Sequence, residues 1–250
     1  MQVDPEVVEK NLSRHGDVTH VAFVHCETTT GILNPLPELA RVVKAHGKKL
    51  IVDAMSSFRR RAFWMCRNSA SISSSAVRTN VSRAYPVFGF IIARRSELMA
   101  CKGVSRSLSL DIYDQWETME KGHGKWRFTS PTHVVRAFKE AMEELKAEGG
   151  VAARYARYCK NHEVLVKGME SLGFKALLPA AVQSPVITSF LYPEKDFDFK
   201  AFYAELKAKG FVIYPGKISQ ADTFRIGNIG DVYPEDFERL VETVKACCEA

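Results

Sequence analysis

A single carboxylate, Asp53, interrupts an otherwise apolar stretch and is the first residue whose position indicates chemistry. Leu50–Val52 and Ala54 are apolar, which is typical of a buried strand of a parallel sheet. Asp53 falls at the carboxyl end of this strand, where ligands of open α/β sheets bind. A carboxylate there can hold a cationic ring nitrogen of a cofactor by a charge-assisted hydrogen bond. The alternative interpretation is a helix N-cap, a position that Asp favours.

A second polar stretch, Cys26–Gly31, follows another predicted strand, Val18–His25, and contains Thr28. A ligand-binding loop has this composition, and so has a Thr-rich turn that satisfies only its own backbone. The predicted helix Leu36–His46 separates the two strands and completes a βαβ unit. Such a unit places Thr28 and Asp53 at the same edge of a parallel sheet.

Two more residues are candidates for binding anions. Thr129 or Ser130 is predicted to cap a long helix that starts at Pro131, and a helix start is either a phosphate site or an ordinary cap. Arg225 lies among apolar residues in Thr-Phe-Arg-Ile-Gly. It is either a bidentate clamp for an anionic substrate or a partner in a surface ion pair.

The elements predict an α/β protein with two domains. Residues 1–149 form an α/β domain, and the glycines 149 and 150 mark the boundary to a smaller α+β domain, 150–250. The smaller domain combines predicted strands with helices, at Val186–Tyr192, Phe199–Lys209, Phe211–Tyr214, Thr223–Ile226 and Pro234–Cys248.

Residues 59–87 differ from the rest of the chain in composition. They hold six arginines and six serines but no Asp, Glu or Lys, and the six arginines equal the formal net charge of +6. The pI of 9.0 therefore says nothing about the partners of the remaining chain. Binding of nucleic acid by this block is one interpretation of the arginines.

Other classes of protein find little support in the sequence. The six cysteines are scattered without the spacing of a zinc or redox site, which predicts reduced thiols, a cytoplasmic protein and no metal. The N-terminal residues lack the pattern of a secretory leader, and no apolar run approaches the roughly 20 residues of a membrane span. No membrane partner is expected.

Five runs together resemble one family. They are His25–Gly31, Val52–Phe58, Ser105–Asp111, Lys125–His133 and Asp222–Gly230. They are similar, in this order, to the 2-aminoethylphosphonate:pyruvate transaminases, pyridoxal-phosphate-dependent class V aminotransferases of fold type I. The resemblance implies part of a large α/β domain with a mostly parallel sheet, a smaller C-terminal α+β domain, and a homodimer with sites between subunits.

The resemblance also implies roles for single residues. Asp53, the catalytic residue that the resemblance implies, would pair through its carboxylate with the pyridine nitrogen of pyridoxal 5'-phosphate. Thr28 would lie beside the ring, and Thr129 would bind the cofactor phosphate. Arg225 would clamp the acid group of the substrate. The implied reaction moves the amino group of 2-aminoethylphosphonate to pyruvate and gives phosphonoacetaldehyde and L-alanine. A related class V transaminase acting on alanine and glyoxylate is the alternative within the same class.

The chain departs from the family pattern in two places. The family's sequence begins earlier, which predicts an N-terminal truncation, and the Schiff-base lysine of the family has no counterpart in residues 59–87. When residues 63–87 are written with permitted codons and read two letters late, a lysine codon straddles Thr79 and Asn80. We interpret the block as a pair of compensating frameshifts, which explains its composition without nucleic-acid binding.

The shifted block has consequences for activity and for folding. The alternative to an active enzyme is therefore a catalytically inactive fragment that lacks the Schiff-base lysine. An Arg/Ser-rich segment in place of a core strand is also expected to bury charge or to leave the neighbouring strands unpaired.

Overall fold

The computed structural model of the chain describes residues 1–57, 71–75, 89–216 and 221–249, and of residues 71–75 it describes the backbone. The chain divides into two compact units. The N-terminal unit comprises Val3–His25 and Pro35–Met142, and the C-terminal unit comprises Met1–Gln2, Cys26–Asn34 and Glu143–Ala250. The two units part between Met142 and Glu143, and the domain boundary expected at residues 149 and 150 stays a prediction.

Helices and strands alternate along most of the chain. The described helices are α1 (Pro5–Arg14), α2 (Leu36–Ala45), α3 (Arg95–Ala100), α4 (Ile112–Lys121), α5 (Thr132–Ala147), α6 (Gly150–Ser171), α7 (Phe199–Ala208) and α8 (Pro234–Cys248). The described strands are β1 (His20–Val24), β2 (Cys26–Glu27), β3 (Ile32–Leu33), β4 (Lys49–Asp53), β5 (Ser71–Ser75), β6 (Phe90–Ala93), β7 (Ile187–Leu191), β8 (Tyr214–Pro215) and β9 (Thr223–Gly227). This mixture confirms the predicted α/β class.

The βαβ unit predicted for the first 53 residues is confirmed. Strands β1 and β4 pair in parallel, with Val24 opposite Asp53. Helix α2 connects them and ends before Gly47, whose φ of +66° suits a residue without a side chain. Its buried face packs on β4 in one small core, formed by Leu12, Leu36, Ala40, Val43, Leu50, Val52 and Ala54.

The sheet of the N-terminal unit continues through the anomalous block. Its strand order is β1-β4-β5-β6, with β4 and β5 parallel and β5 and β6 antiparallel. Leu50 pairs with Ser71, and Ile72 pairs with Ala93. Of the two expected alternatives, buried charge or unpaired neighbouring strands, the second does not occur at residues 71–75, because backbone groups make the ladder whatever side chains the strand carries. The predicted lysine position near Thr79 and Asn80 lies outside the described residues.

The C-terminal unit is a three-stranded antiparallel sheet with helices. The strand order is β7-β9-β8, and the strand predicted at Phe211–Tyr214 is shorter and later, at Tyr214–Pro215. The short β2–β3 pair joins this unit, because Ser184 donates to the Gly31 carbonyl and Leu33 to the Val182 carbonyl. The core is a cluster of buried residues that includes Phe174, Phe190, Leu206, Phe224 and Val244.

Candidate active site

Asp53 ends strand β4 in the N-terminal unit with an exposed side chain. Its Oδ1 accepts a hydrogen bond from the Met55 amide at 2.8 Å, and its backbone carbonyl accepts one from the His25 amide at 2.9 Å. The residues that follow, 55–57, form a turn. The carboxylate thus lies at the carboxyl end of a parallel strand and forms a local Asx turn with the Met55 amide. That Asp53 pairs with a cofactor ring stays a prediction.

The turn that contains Thr28 belongs to the C-terminal unit, between β2 and β3. Its neighbours serve the turn itself, since Glu27 Oε1 accepts from the Thr29 amide and hydroxyl, and Thr30 Oγ1 accepts from the Ile32 amide. Thr28 differs, because its carbonyl accepts a hydrogen bond from Arg225 Nη1 at 3.1 Å. That Thr28 lies beside a cofactor ring stays a prediction.

Arg225 lies in the middle of β9 and is buried, with 7% of its surface exposed. Its Nε donates to the Pro215 carbonyl at 3.1 Å and its Nη1 to the Thr28 carbonyl. Within the described residues, no carboxylate lies within salt-bridge distance of its guanidinium. The surface-ion-pair interpretation of Arg225 is therefore wrong.

A buried cation without a paired acid is costly, and the electrostatics of Arg225 reflect this. Burial lowers the pKa of the Arg225 guanidinium, and the nearby Tyr214 phenol only partly offsets that effect. The partners of Arg225 are two carbonyl dipoles. An anion that binds the guanidinium would supply the missing opposite charge, so the site favours an anionic ligand.

One face of helix α6 holds the segment that follows β9. Arg157 Nη1 donates to the Gly230 carbonyl at 3.1 Å, and Asn161 Nδ2 donates to the Val232 carbonyl at 3.0 Å. The Gly230 amide in turn donates to the Tyr158 hydroxyl at 3.3 Å. These bonds fix the chain next to Arg225. Sequence reasoning missed them, although the helical spacing 154, 157, 158 and 161 puts polar groups on one face.

The same face contains a partly buried ionic network. Glu148 accepts from Arg154 Nε at 2.6 Å and from Arg157 Nε at 2.8 Å. The Arg154 side chain is 3% exposed and that of Glu148 is 20% exposed. Although burial acts in the opposite direction, hydrogen bonds from Arg157 and Arg154 hold the pKa of the Glu148 carboxyl below its ordinary value. Both arginines of this network thus have an anionic partner, in contrast to Arg225.

Thr129 lines a cavity of about 740 Å³ in the N-terminal unit. Three cationic side chains, Lys125, Arg136 and Lys139, line the same cavity, and all four residues are exposed. Helix α5 begins next to it at Thr132, and the Val135 amide donates to the Pro131 carbonyl. Cations and a hydroxyl at a helix start suit a phosphate group. The sequence reasoning identified Thr129 but missed the three cations.

Other kinds of site find no support in the described part of the chain. There, no three His, Cys, Asp or Glu side chains gather as potential metal ligands. The five cysteines among residues 1–57, 89–216 and 221–249 are free thiols. Nor does any described helix combine the length and the apolar character that crossing a bilayer needs.

Two solved structures with a similar fold are aminotransferases. A pyridoxamine–pyruvate aminotransferase from Mesorhizobium loti superposes with a TM-score of 0.86 over 99% of this chain and 64% of that one, at 23% identity. An alanine–glyoxylate aminotransferase from Nostoc sp. superposes with a TM-score of 0.85 over 99% of this chain and 66% of that one, at 19% identity. The chain therefore has the fold type I architecture of pyridoxal-phosphate aminotransferases.

Sequence relatives narrow the assignment. The class V aminotransferase family model matches residues 1–74. The 2-aminoethylphosphonate–pyruvate transaminase of Phocaeicola vulgatus is 69% identical over 98% of this chain and 67% of that protein. The enzyme of the same name from Vibrio cholerae is 54% identical over 96% of this chain and 67% of that protein. The chain belongs to the 2-aminoethylphosphonate–pyruvate transaminase family and spans about two thirds of the length of these relatives.

Proposed function

We propose that this protein transfers the amino group of 2-aminoethylphosphonate to pyruvate, giving phosphonoacetaldehyde and L-alanine. The observation that carries the proposal is Arg225, a buried guanidinium with two carbonyl partners and no acid partner among the described residues. Both proposed substrates carry an anionic group that such a guanidinium binds. The relatives of 54–70% identity bear the name of this reaction.

The proposed cofactor is pyridoxal 5'-phosphate, and several residues fit parts of it. The Asp53 carboxylate at the strand end suits a protonated pyridine nitrogen, and the Thr129 hydroxyl with its neighbouring cations suits a phosphate. When bound, the cofactor supplies a ring that accepts electrons from the substrate's reacting carbon. Residues 59–87 contain no lysine for its covalent attachment.

We attribute this missing lysine to the compensating frameshifts described above. The observation behind this is the composition of residues 59–87, which hold six arginines and six serines but no Asp, Glu or Lys. Reading the genomic DNA across residues 59–87 is the test. A lysine codon in frame would show that the arginine block is not part of the natural protein. A confirmed pair of shifts would make this chain the product of a disrupted gene, and its activity would be lost.

The transamination itself is tested with two versions of the chain, the one printed and one carrying the shifted reading of residues 63–87. Alanine formed from 2-aminoethylphosphonate and pyruvate is measured. We expect alanine from the lysine-containing chain alone, and an Arg225→Gln variant of it should lose about 100-fold in kcat/KM because a charge-assisted pair of hydrogen bonds is removed. The matched control Arg239→Gln changes an exposed arginine paired with Asp236. No alanine from the lysine-containing chain would contradict the proposal.

We also propose a cytoplasmic homodimer. Free thiols support the reducing compartment. Exposed apolar side chains in the stretch 104–128 support a contact with a second copy, namely Val104 (68% exposed), Leu108 (73%), Leu110 (77%) and Phe128 (53%). Light scattering of the purified chain at several concentrations tests the dimer, and a monomer at all of them would contradict it.

A further inference from the structure

Ser189 of strand β7 lies directly opposite Arg225 of strand β9 in the antiparallel ladder. Residues paired in this way have side chains on the same face of the sheet, with Cβ atoms about 4.5–5.5 Å apart. Ser189 has no exposed surface, and its hydroxyl has no hydrogen-bond partner among the described residues. The neighbouring Thr188, on the other face, donates to Asn228 Oδ1 at 3.4 Å. Of these two hydroxyls, the unpaired one is therefore that of Ser189, on the face of the sheet that carries the Arg225 side chain.

An unpaired buried hydroxyl costs about 1–3 kcal/mol, so it requires an explanation. Arg225 presents a related deficit. A guanidinium has five N–H donors. Two of them donate to the carbonyls of Pro215 and Thr28, so three have no partner in the described chain. The Ser189 oxygen makes no hydrogen bond with the guanidinium, and the guanidinium cannot accept one from the Ser189 O–H. Both groups lack the same thing, an acceptor.

We propose that Ser189 is a second anion-binding residue beside Arg225, and that the two together favour a phosphonate over a carboxylate. This inference rests on the proposed function and names the group that selects its amino donor. A planar carboxylate has two oxygens, which a guanidinium fork already satisfies. A tetrahedral phosphonate has a third oxygen to accept from the Ser189 hydroxyl. The carboxylate of pyruvate binds through Arg225 without Ser189.

The test is calorimetric titration of the full chain with methylphosphonate and, separately, with acetate. Ser189→Ala should raise the Kd of methylphosphonate about 10-fold, since a hydrogen bond to a charged group is lost, and should leave the Kd of acetate unchanged. Thr188→Val is the matched control, because it removes the adjacent hydroxyl from the opposite face, and both Kd values should stay at their wild-type values.

Two further measurements exclude a purely structural role for Ser189. A structural hydroxyl would lower the Tm of the ligand-free chain when removed, whereas Ser189→Ala should leave the Tm the same or raise it because an unpaired buried group disappears. Ser189→Cys keeps a weak donor of similar shape and should give a smaller loss of methylphosphonate affinity than Ser189→Ala. It also serves as the binding test if Ser189→Ala does not fold.

The outcomes separate this inference from the proposed function. If Arg225→Gln abolishes binding of both anions while Ser189→Ala changes neither Kd, the role of Ser189 is refuted and the clamp stands. An equal loss of acetate and methylphosphonate affinity in Ser189→Ala also refutes the proposed selectivity. If wild-type chain binds neither anion, or if Arg225→Gln leaves methylphosphonate binding intact, the clamp itself is refuted.

Discussion

The two compact units hold their chemical groups in opposite ways. In the C-terminal unit, Arg225 is buried in the middle of a strand whose neighbours Phe224 and Ile226 belong to the core. In the N-terminal unit, Asp53 and Thr129 are exposed at the ends of elements. A buried charge is positioned by the packing around it, whereas an exposed one depends on local turns and on the ligand.

The cores of the units differ accordingly. Aromatic rings pack around Phe224, with centroid distances of 5.6 Å to Phe174 and 5.7 Å to Phe190. The core of the N-terminal unit is aliphatic and small, and its sheet continues through a strand of four serines and one isoleucine. The two tryptophans among the described residues, Trp116 and Trp126, lie in the N-terminal unit. Tryptophan fluorescence therefore reports this unit, and hydrogen exchange resolves the C-terminal one.

The largest effect is expected from Phe224→Ala, which empties the centre of the aromatic core. Removing a fully buried phenylalanine costs about 3–5 kcal/mol in the free energy of unfolding. Hydrogen exchange of the backbone amides in the C-terminal unit should report this loss. The control Phe128→Ala removes a ring that is 53% exposed, and it should leave exchange in the C-terminal unit unchanged. Equal effects of the two variants would show that the aromatic cluster is not the stabilising core.

Glu148→Gln should have the next largest effect, because it removes the carboxylate that Arg154 and Arg157 share. We expect a loss of about 2 kcal/mol, less than the about 3–5 for a fully buried pair, since Glu148 is 20% exposed and glutamine still accepts a hydrogen bond. This loss is measured by urea denaturation, with hydrogen exchange of the amides of the C-terminal unit as the probe. The control Glu163→Gln breaks an exposed pair with Lys160 and should give no measurable change. A wild-type stability in Glu148→Gln would contradict the prediction.

The same network predicts how stability depends on pH. Because the pKa of Glu148 is lower in the folded chain than its ordinary 4.5, its contribution is complete above about pH 4.5 and is lost as the pH falls through the folded pKa. Denaturation midpoints of the wild type should therefore approach those of Glu148→Gln as the medium is acidified. A gap between the two proteins that stays constant from neutral pH to below pH 4 would exclude this origin.

The smallest effect is expected in the N-terminal unit, from a change at Gly47. Gly47→Ala places a side chain at a φ of +66° and should cost the N-terminal unit about 1 kcal/mol, although the new methyl group meets no atom within 4 Å. Gly16→Ala is the matched control, because its glycine also has open space but no positive φ. The unfolding midpoint, followed by tryptophan fluorescence, should fall for Gly47→Ala alone. An equal shift for both variants would mean that backbone conformation is not the cause.

Much of the fold was predictable because it follows from local patterns. The apolar run before Asp53, the amphipathic helix Leu36–His46 and the glycine stop after it predict the βαβ unit that the structure shows. The predicted helix Pro234–Cys248 has the same bounds in the structure, and its buried residues Phe237, Leu240 and Val244 recur with helical spacing. The strand predicted at Phe211–Tyr214 is misplaced, because Ile213 alone of its residues is buried and apolar pattern cannot indicate which backbone groups pair.

By itself, the sequence determined the elements, the kinship of the chain and the types of group available for chemistry, since those depend on residue order alone. Only the tertiary structure decided the surroundings of Arg225. Its burial, its carbonyl partners at Pro215 and Thr28, and the unpaired Ser189 opposite it arise from segments far apart in the chain. The physical reason is that the free energy of a charge depends on what surrounds it in space, and no local pattern encodes those neighbours.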